Sequence, residues 1–288
     1  MTGKKRPKIE KASKTGFCFG VRRAINTLEM LSRERGGIET LGAVVHNQQV
    51  LQKLSEIGVK VVDNIDDIKG NAVVTSSHGI SPDLEESIRA RHSEVISTTC
   101  PNVHRAQSAA KKLAESDFFV IVYGDAGHPE VKGILGWAKG KGLATTDEKA
   151  IAALKPFPRR LGILSQTTQV PARFAEFVKK IKALALKKNT EIQIVDTICD
   201  DLRERQAAAL ELAHRVDLML VVGGRSSANT NRLAELCSQV TGTHLIETAE
   251  EIKPAWLKGK KHIGVTSGAS TAEETVDEVM QKLREFHD

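Results

Sequence analysis

Three of the four cysteines in this 288-residue chain stand at one fixed distance from a glycine. Cys18, Cys100 and Cys199 each precede by 24 residues a glycine (Gly42, Gly124, Gly223) that ends a strand-patterned apolar run. Each cysteine also opens a helix-patterned segment. After Cys18 comes GVRRAINTLEML, with Val21, Ala24, Ile25, Leu28 and Leu31 on one face. After Cys100 comes Pro101, at a first helical position where the missing N–H costs nothing. After Cys199 come Asp200 and Asp201, whose charge suits the positive end of a helix. The turns at the glycines read GAVVHN, GDAGHPE and GGRSSANTN, and a second set follows at TSSHGIS, SQTTQ and TSGAST. A spacing and two sets of turns that recur three times point to three diverged copies of one unit. Each copy brings one cysteine to a helix N-terminus, where backbone N–H groups and the helix dipole stabilise a thiolate.

Strand and helix patterns alternate along the whole chain, and the central strands are continuous Val/Ile/Leu runs such as FFVIVY and LMLVV. That predicts an α/β fold of three pseudo-equivalent lobes, each a small parallel sheet flanked by helices. The expected boundaries are 16–98, 99–197 and 198–288, after a basic tail with a possible N-terminal strand over 1–15. Helices are predicted over 20–34, 101–115, 171–188, from Pro82 through His92 and near 250–257. In parallel sheets ligands gather at the carboxyl ends of the strands, where all these polar turns fall.

Charge and composition narrow the function. The net charge of +6 is concentrated in residues 1–14, where Lys4, Lys5, Arg6, Lys8, Lys11 and Lys14 face Glu10 alone. The expected state of that tail is a solvated, disordered extension. With the body near neutral and only 4% aromatic residues, no nucleic-acid partner is expected. No export signal and no apolar run of membrane-spanning length is visible, so the expectation is a cytoplasmic protein with reduced thiols and no membrane association. Four widely separated cysteines are then either inert core or metal ligands. The repeat favours a shared metal site for Cys18, Cys100 and Cys199. Cys237 lies among Leu233, Leu236 and Val240 at helical spacing and reads as core.

His46, His78 and His128 each occupy a strand-ending turn, and Ser227, Asn229 and Ser270 hold such turns in the third unit. Turn N–H groups and helix N-termini add donors, so this set suits an anion. Neither a Walker-type loop nor GxGxxG after a strand is present to account for it. Glu130, two residues after His128, is the best-placed carboxylate for proton transfer, and equally an ordinary first-turn glutamate.

The segments GFCFGVRRAI, VVHN, SSHGIS, TTCPNVH, GHPEVKG, SQTT, DTIC, SANTNRLAEL and GVTSGAS together resemble the 4-hydroxy-3-methylbut-2-enyl diphosphate reductase family. The resemblance runs from about Gly16 to near the C-terminus, in the family's order. It implies three lobes around a central 4Fe–4S cluster ligated by Cys18, Cys100 and Cys199, with one iron open to substrate. It makes His46, His78, His128, Ser227, Asn229 and Ser270 the holders of the allylic diphosphate substrate. Glu130 becomes the proton relay, with Thr167 positioning it, and a ferredoxin or flavodoxin the electron donor. The products implied are isopentenyl and dimethylallyl diphosphate. Phe19 stands where many members have a small residue, and Ala228 where many have serine. A quinolinate synthase would share three lobes and three cysteines, but the GHPE and SANTNR turns argue against it. A non-enzymatic iron–sulfur sensor would need neither the glutamate nor six anion-binding side chains.

Overall fold

The computed structural model describes residues 7–91 and 94–286. It contains three four-stranded sheets, and every strand pairing among the described residues is parallel. The elements run β1 (Lys8–Lys11), α1 (Phe19–Arg35), β2 (Ile38–Leu41), α2 (Gln48–Glu56), β3 (Val59–Val62), β4 (Ala72–Thr75), α3 (Pro82–Arg89) and β5 (Glu94–Ser97). Next come α4 (Pro101–Glu115), β6 (Phe119–Tyr123), α5 (Pro129–Trp137), β7 (Gly142–Ala144), α6 (Glu148–Ala152), β8 (Arg160–Ser165), α7 (Pro171–Lys188) and β9 (Glu191–Ile194). The chain finishes with α8 (Asp200–Ala213), β10 (Leu218–Val222), α9 (Ala228–Ser238), β11 (Thr243–Ile246), α10 (Pro254–Leu257), β12 (His262–Ser267) and α11 (Glu273–Glu285).

The three sheets share one strand order. They read β3-β2-β4-β5, β7-β6-β8-β9 and, from the matching edge, β11-β10-β12-β1. The fourth place of the last sheet is therefore filled by the first strand of the chain. Each fourth strand also delivers the chain to a cysteine: β1 to Cys18, β5 to Cys100 and β9 to Cys199. The possible N-terminal strand is present as β1, and the expected disordered extension over 1–14 therefore fails for residues 8–14. Lys8–Lys11 pairs with His262–Val265, Lys11 meets Glu273, and Lys14 meets Glu204. Lys4, Lys5 and Arg6 lie outside the described residues, as does His92, the expected end of α3.

By compactness the chain forms two units, residues 7–22, 45–53 and 200–286 in the first, and 23–44 and 54–199 in the second. The first unit holds the β1-containing sheet. Its strand β10 is buried throughout. Leu218, Leu220 and Val222 pack with Val276, Val279 and Leu283 of α11, while Met219 and Val221 pack with Leu212 of α8 and Leu233 of α9. The second unit holds the other two sheets and repeats this two-faced packing on β6. Val120 and Val122 face Ala106, Ala110 and Ile134, whereas Ile121 and Tyr123 face Phe174, Phe177 and Ile181. The strand period of two explains why such strands read as unbroken apolar runs: both faces are covered.

Sequence punctuation sets the helix starts. Proline stands at the first position of α3, α4, α5, α7 and α10, and the side chains of Ser81, His128 and Ser227 cap α3, α5 and α9. Two expectations change. The helix near 250–257 is a 3₁₀ turn (Ala249–Glu251) followed by α10, because Pro254 starts a new helix and cannot continue the old one. The short β7 and α6 were not foreseen. β7 is Gly-Leu-Ala, with no β-branched residue, and it exists because β6 offers it an edge.

Candidate active site

The candidate ligand, substrate-binding and catalytic residues lie at the carboxyl ends of strands or in the helix turns that follow. In the second unit these are His78 after β4, Cys100 as N-cap of α4, His128 as N-cap of α5, Glu130 in its first turn, Thr167 after β8, and Cys199 just before α8.

Glu130 is buried, at 2% exposure. The Thr167 backbone N–H donates to its Oε1 at 2.6 Å and the Thr167 hydroxyl donates to its Oε2 at 2.9 Å. One threonine thus fixes both oxygens of the carboxylate. The Glu130 backbone N–H in turn donates to His128 Nδ1 at 3.1 Å. With Nδ1 accepting, the proton of the neutral ring sits on Nε2, so His128 presents a donor. His78 approaches the same ring edge-on, centroids 5.4 Å apart and planes at 85°. The turn that carries His78 is held by Gln107 and Trp137, which donate to the Ile80 carbonyl at 3.2 and 3.1 Å.

The sulfurs have donors too. Asn102 Nδ2 lies 3.2 Å from Cys199 Sγ, and the Cys199 N–H donates to the Thr167 carbonyl at 2.9 Å. Cys199 and Glu130 therefore both hang on Thr167, one on its carbonyl and one on its N–H and hydroxyl. Cys100 has extended backbone angles (φ −61°, ψ 136°), as an N-cap requires.

The first unit holds Cys18, His46, Ser227, Asn229 and Ser270. Cys18 caps α1, its Sγ accepting the Val21 N–H at 3.5 Å, and its own N–H donates to the Ala269 carbonyl at 3.0 Å. The next residue in that turn is Ser270, so Cys18 is anchored to the backbone of the Ser270 turn. Ser227 caps α9 by accepting the Thr230 N–H at 3.3 Å. Asn229 Nδ2 and Ser270 Oγ are buried with no hydrogen-bond partner among the described residues. Buried polar atoms are normally satisfied, so these two donors, one in the first turn of α9 and one in the turn after β12, are available to a polar ligand. Gly224 lets the His46 turn close on this group, since a Cβ there would strike the His46 carbonyl. Burial holds the His46 imidazole below its ordinary pKa, so it is neutral at neutral pH.

The donor set fits iron–sulfur ligation. None of the four cysteines is in a disulfide, three stand at helix starts, and N–H groups point at Cys18 Sγ and Cys199 Sγ. Cys237 does not join them: it is fully buried on α9, against Ala209 of α8, and burial pushes its thiol up to about 12. Phe19 is 69% exposed, so its ring is not part of a buried core. Sequence reasoning missed Asn102, which is 97 residues from the sulfur that it reaches. No spacing rule connects them.

Comparison with known proteins agrees with this geometry. The family model described as LytB protein matches residues 9–284. A 4-hydroxy-3-methylbut-2-enyl diphosphate reductase of Dehalococcoides mccartyi strain CBDB1 is 58% identical over 276 residues, covering 96% of this chain and 97% of its own. The enzyme of that name from Geobacter metallireducens is 43% identical over 277 residues, 96% of each chain. Among solved structures, (E)-4-hydroxy-3-methyl-but-2-enyl diphosphate reductase, the terminal enzyme of the non-mevalonate pathway, matches at 36% identity and TM-score 0.70, covering 97% of this chain and 99% of its own. E-1-hydroxy-2-methyl-but-2-enyl-4-diphosphate reductase from Plasmodium falciparum matches at 27% identity and TM-score 0.89, covering 96% and 87%. With the match spanning all three sheets and every turn described above, the chain belongs to the LytB protein family.

Proposed function

We propose that this protein reduces (E)-4-hydroxy-3-methylbut-2-enyl diphosphate to isopentenyl and dimethylallyl diphosphate, consuming two electrons and two protons and releasing water. The observation that carries the reading is the buried Glu130 carboxylate, locked by Thr167 and two residues from a histidine that presents Nε2–H. Residues 16–98, 99–197 and 198–288 are read as three copies of one unit, each giving one cysteine ligand. A 4Fe–4S cluster on Cys18, Cys100 and Cys199, when bound, supplies single-electron storage and one iron open to substrate.

The chain's own residues do the rest. His46, His78, His128, Ser227, Asn229 and Ser270 hold the diphosphate, the orphaned Asn229 and Ser270 donors being satisfied by its oxygens. Backbone N–H groups at the start of α9 assist, and with Ala228 at its first position a backbone donor replaces a side-chain hydroxyl there. Glu130 delivers the proton that lets the substrate C4 oxygen leave as water. The Thr167 hydroxyl, which can donate or accept, positions Glu130 and the substrate hydroxyl. Electrons come singly from a ferredoxin or flavodoxin in the cytoplasm. Among the described residues no helix is long and apolar enough to cross a membrane.

The division of labour is testable under anaerobic conditions with reduced viologen as donor. Glu130→Gln is expected to keep substrate binding and lower kcat by roughly a hundredfold or more, the usual contribution of a general acid. His128→Asn weakens ground and transition states together and is expected mainly to raise KM. Normal turnover by Glu130→Gln would refute the catalytic assignment.

A further inference from the structure

We infer that helix α4 controls a second cysteine besides its own: Asn102 donates a hydrogen bond to the Cys199 sulfur and thereby raises the reduction potential of the iron–sulfur centre. The inference rests on the cluster reading above. Its geometry is independent of that reading.

Cys100 is the N-cap of α4, and Asn102 and Arg105 lie three residues apart on one face of that helix. Asn102 Nδ2 is 3.2 Å from Cys199 Sγ, and Arg105 donates to the carbonyl of Ile198, the preceding residue, at 3.3 Å. The Cys199 N–H is tied to Thr167 at 2.9 Å. Cys199 is thus held at its nitrogen, at the carbonyl before it and at its sulfur. Asparagine has poor helix propensity because its side chain competes for local backbone groups, and at Asn102 the amide is instead committed to a distant sulfur.

The Arg105 contact has a counterpart. Arg23, the fifth residue after Cys18, donates to the carbonyl of Thr99, just before Cys100, at 3.0 Å. Arg105 is the fifth residue after Cys100 and holds the carbonyl just before Cys199. One device therefore serves both cysteines of the second unit, each gripped by the helix that opens on the cysteine before it in the chain. The contact to sulfur has no such counterpart on α1, where Gly20 occupies the position equivalent to Asn102. The amide donor distinguishes Cys199 from Cys100.

A hydrogen bond to a thiolate withdraws electron density from it and favours the more negative, reduced state of the metal centre. Removing it shifts the potential in the negative direction. The test is a dithionite titration with redox mediators, anaerobic and followed by electron paramagnetic resonance, on reconstituted wild type and Asn102→Leu. The expected result is wild-type iron and sulfide content with about a tenfold lower ratio of reduced to oxidised cluster at fixed potential, about 59 mV for one electron. Electron–nuclear double resonance adds a second readout: an exchangeable proton coupled to the reduced centre in wild type and lost in Asn102→Leu. A purely packing role for Asn102 would move neither. If Asn102→Leu does not hold iron, wild type grown with nitrogen-15 asparagine decides, and absence of a coupling from an asparagine side-chain nitrogen to the reduced centre overturns the inference. An unchanged potential in a loaded Asn102→Leu overturns it as well. Wild type that takes up no iron and sulfide would overturn the cluster reading itself.

Discussion

Cys237 and the three cysteines at helix starts are one side chain in opposed settings. Cys237 sits within α9 with an apolar surround, and burial pushes its thiol up to about 12, so it stays protonated and unreactive at neutral pH. Cys237→Ala is expected to bind iron as wild type does, and in the native protein Cys237 should resist iodoacetamide until denaturant is added, as mass mapping would show. His46 makes a second prediction at this scale. Burial lowers its pKa, so the protein without ligand carries it neutral near pH 7. A diphosphate beside it favours the charged imidazolium, so binding takes up a proton. Binding that takes up protons weakens as pH rises, so KM is expected to increase from pH 6 to pH 8. His46→Asn should flatten that slope, and an equal slope in both proteins would remove His46 from the binding set.

At the scale of elements, β1 decides where Cys18 stands. Its ladder to β12 continues past the strand, with the Ala12 N–H on the Val265 carbonyl at 2.8 Å and the Gly16 N–H on Ser267 Oγ at 3.0 Å. Gly16 takes φ +73°, and its Cα lies so close to Glu273 that a Cβ would meet Oε2. The same carboxylate accepts from Thr15 at 3.1 Å and pairs with Lys11. Truncation before residue 7 leaves this arrangement whole and should keep turnover within about twofold. Truncation through Ala12 removes the strand, opens the β12 edge to pairing with other chains and releases Cys18. That protein is expected to lose iron and to aggregate, as iron assay and light scattering would report. Full activity after the longer truncation would show that β1 is dispensable.

For the whole molecule the prediction concerns ligand number. Anaerobically purified protein should be brown and carry iron and sulfide near four each per chain, the content of a cuboidal cluster. Cys18→Ala, Cys100→Ala and Cys199→Ala should each lose it, although the three residues come from three different sheets' connections. Equal iron loss from all four cysteine variants would break the distinction drawn for Cys237. The lobes' common strand order gives the reason that three sites were available at all. Each fourth strand ends beside a helix start, so each copy of the unit makes the same kind of position for a sulfur.

That repeat was legible in the chain itself. Local signals fixed it: cysteine-to-glycine spacing, proline or aspartate after the cysteine, and apolar runs that only two-sided burial explains. The helices from Pro101 to about Glu115 and from Pro171 to about Lys188 were legible, their starts sharply because proline marks them and their ends approximately from the polar turns that follow. The candidate residues were legible as turn residues, and their roles came with the family resemblance. What the chain could not reveal depends on partners distant in sequence. A strand before Cys18 was legible as a possibility, but not its partner: Lys8–Lys11 carries charge enough to look solvated and is held because β12, more than 250 residues on, leaves an edge open. Gly142–Ala144 has no strand propensity and is recruited by β6. The hold of Thr167 on Glu130 and of Asn102 on Cys199 joins residues 37 and 97 positions apart. Propensity and periodicity act over one or two turns of chain, whereas a hydrogen bond to a buried carboxylate or sulfur exists only once packing has brought the two strand ends together.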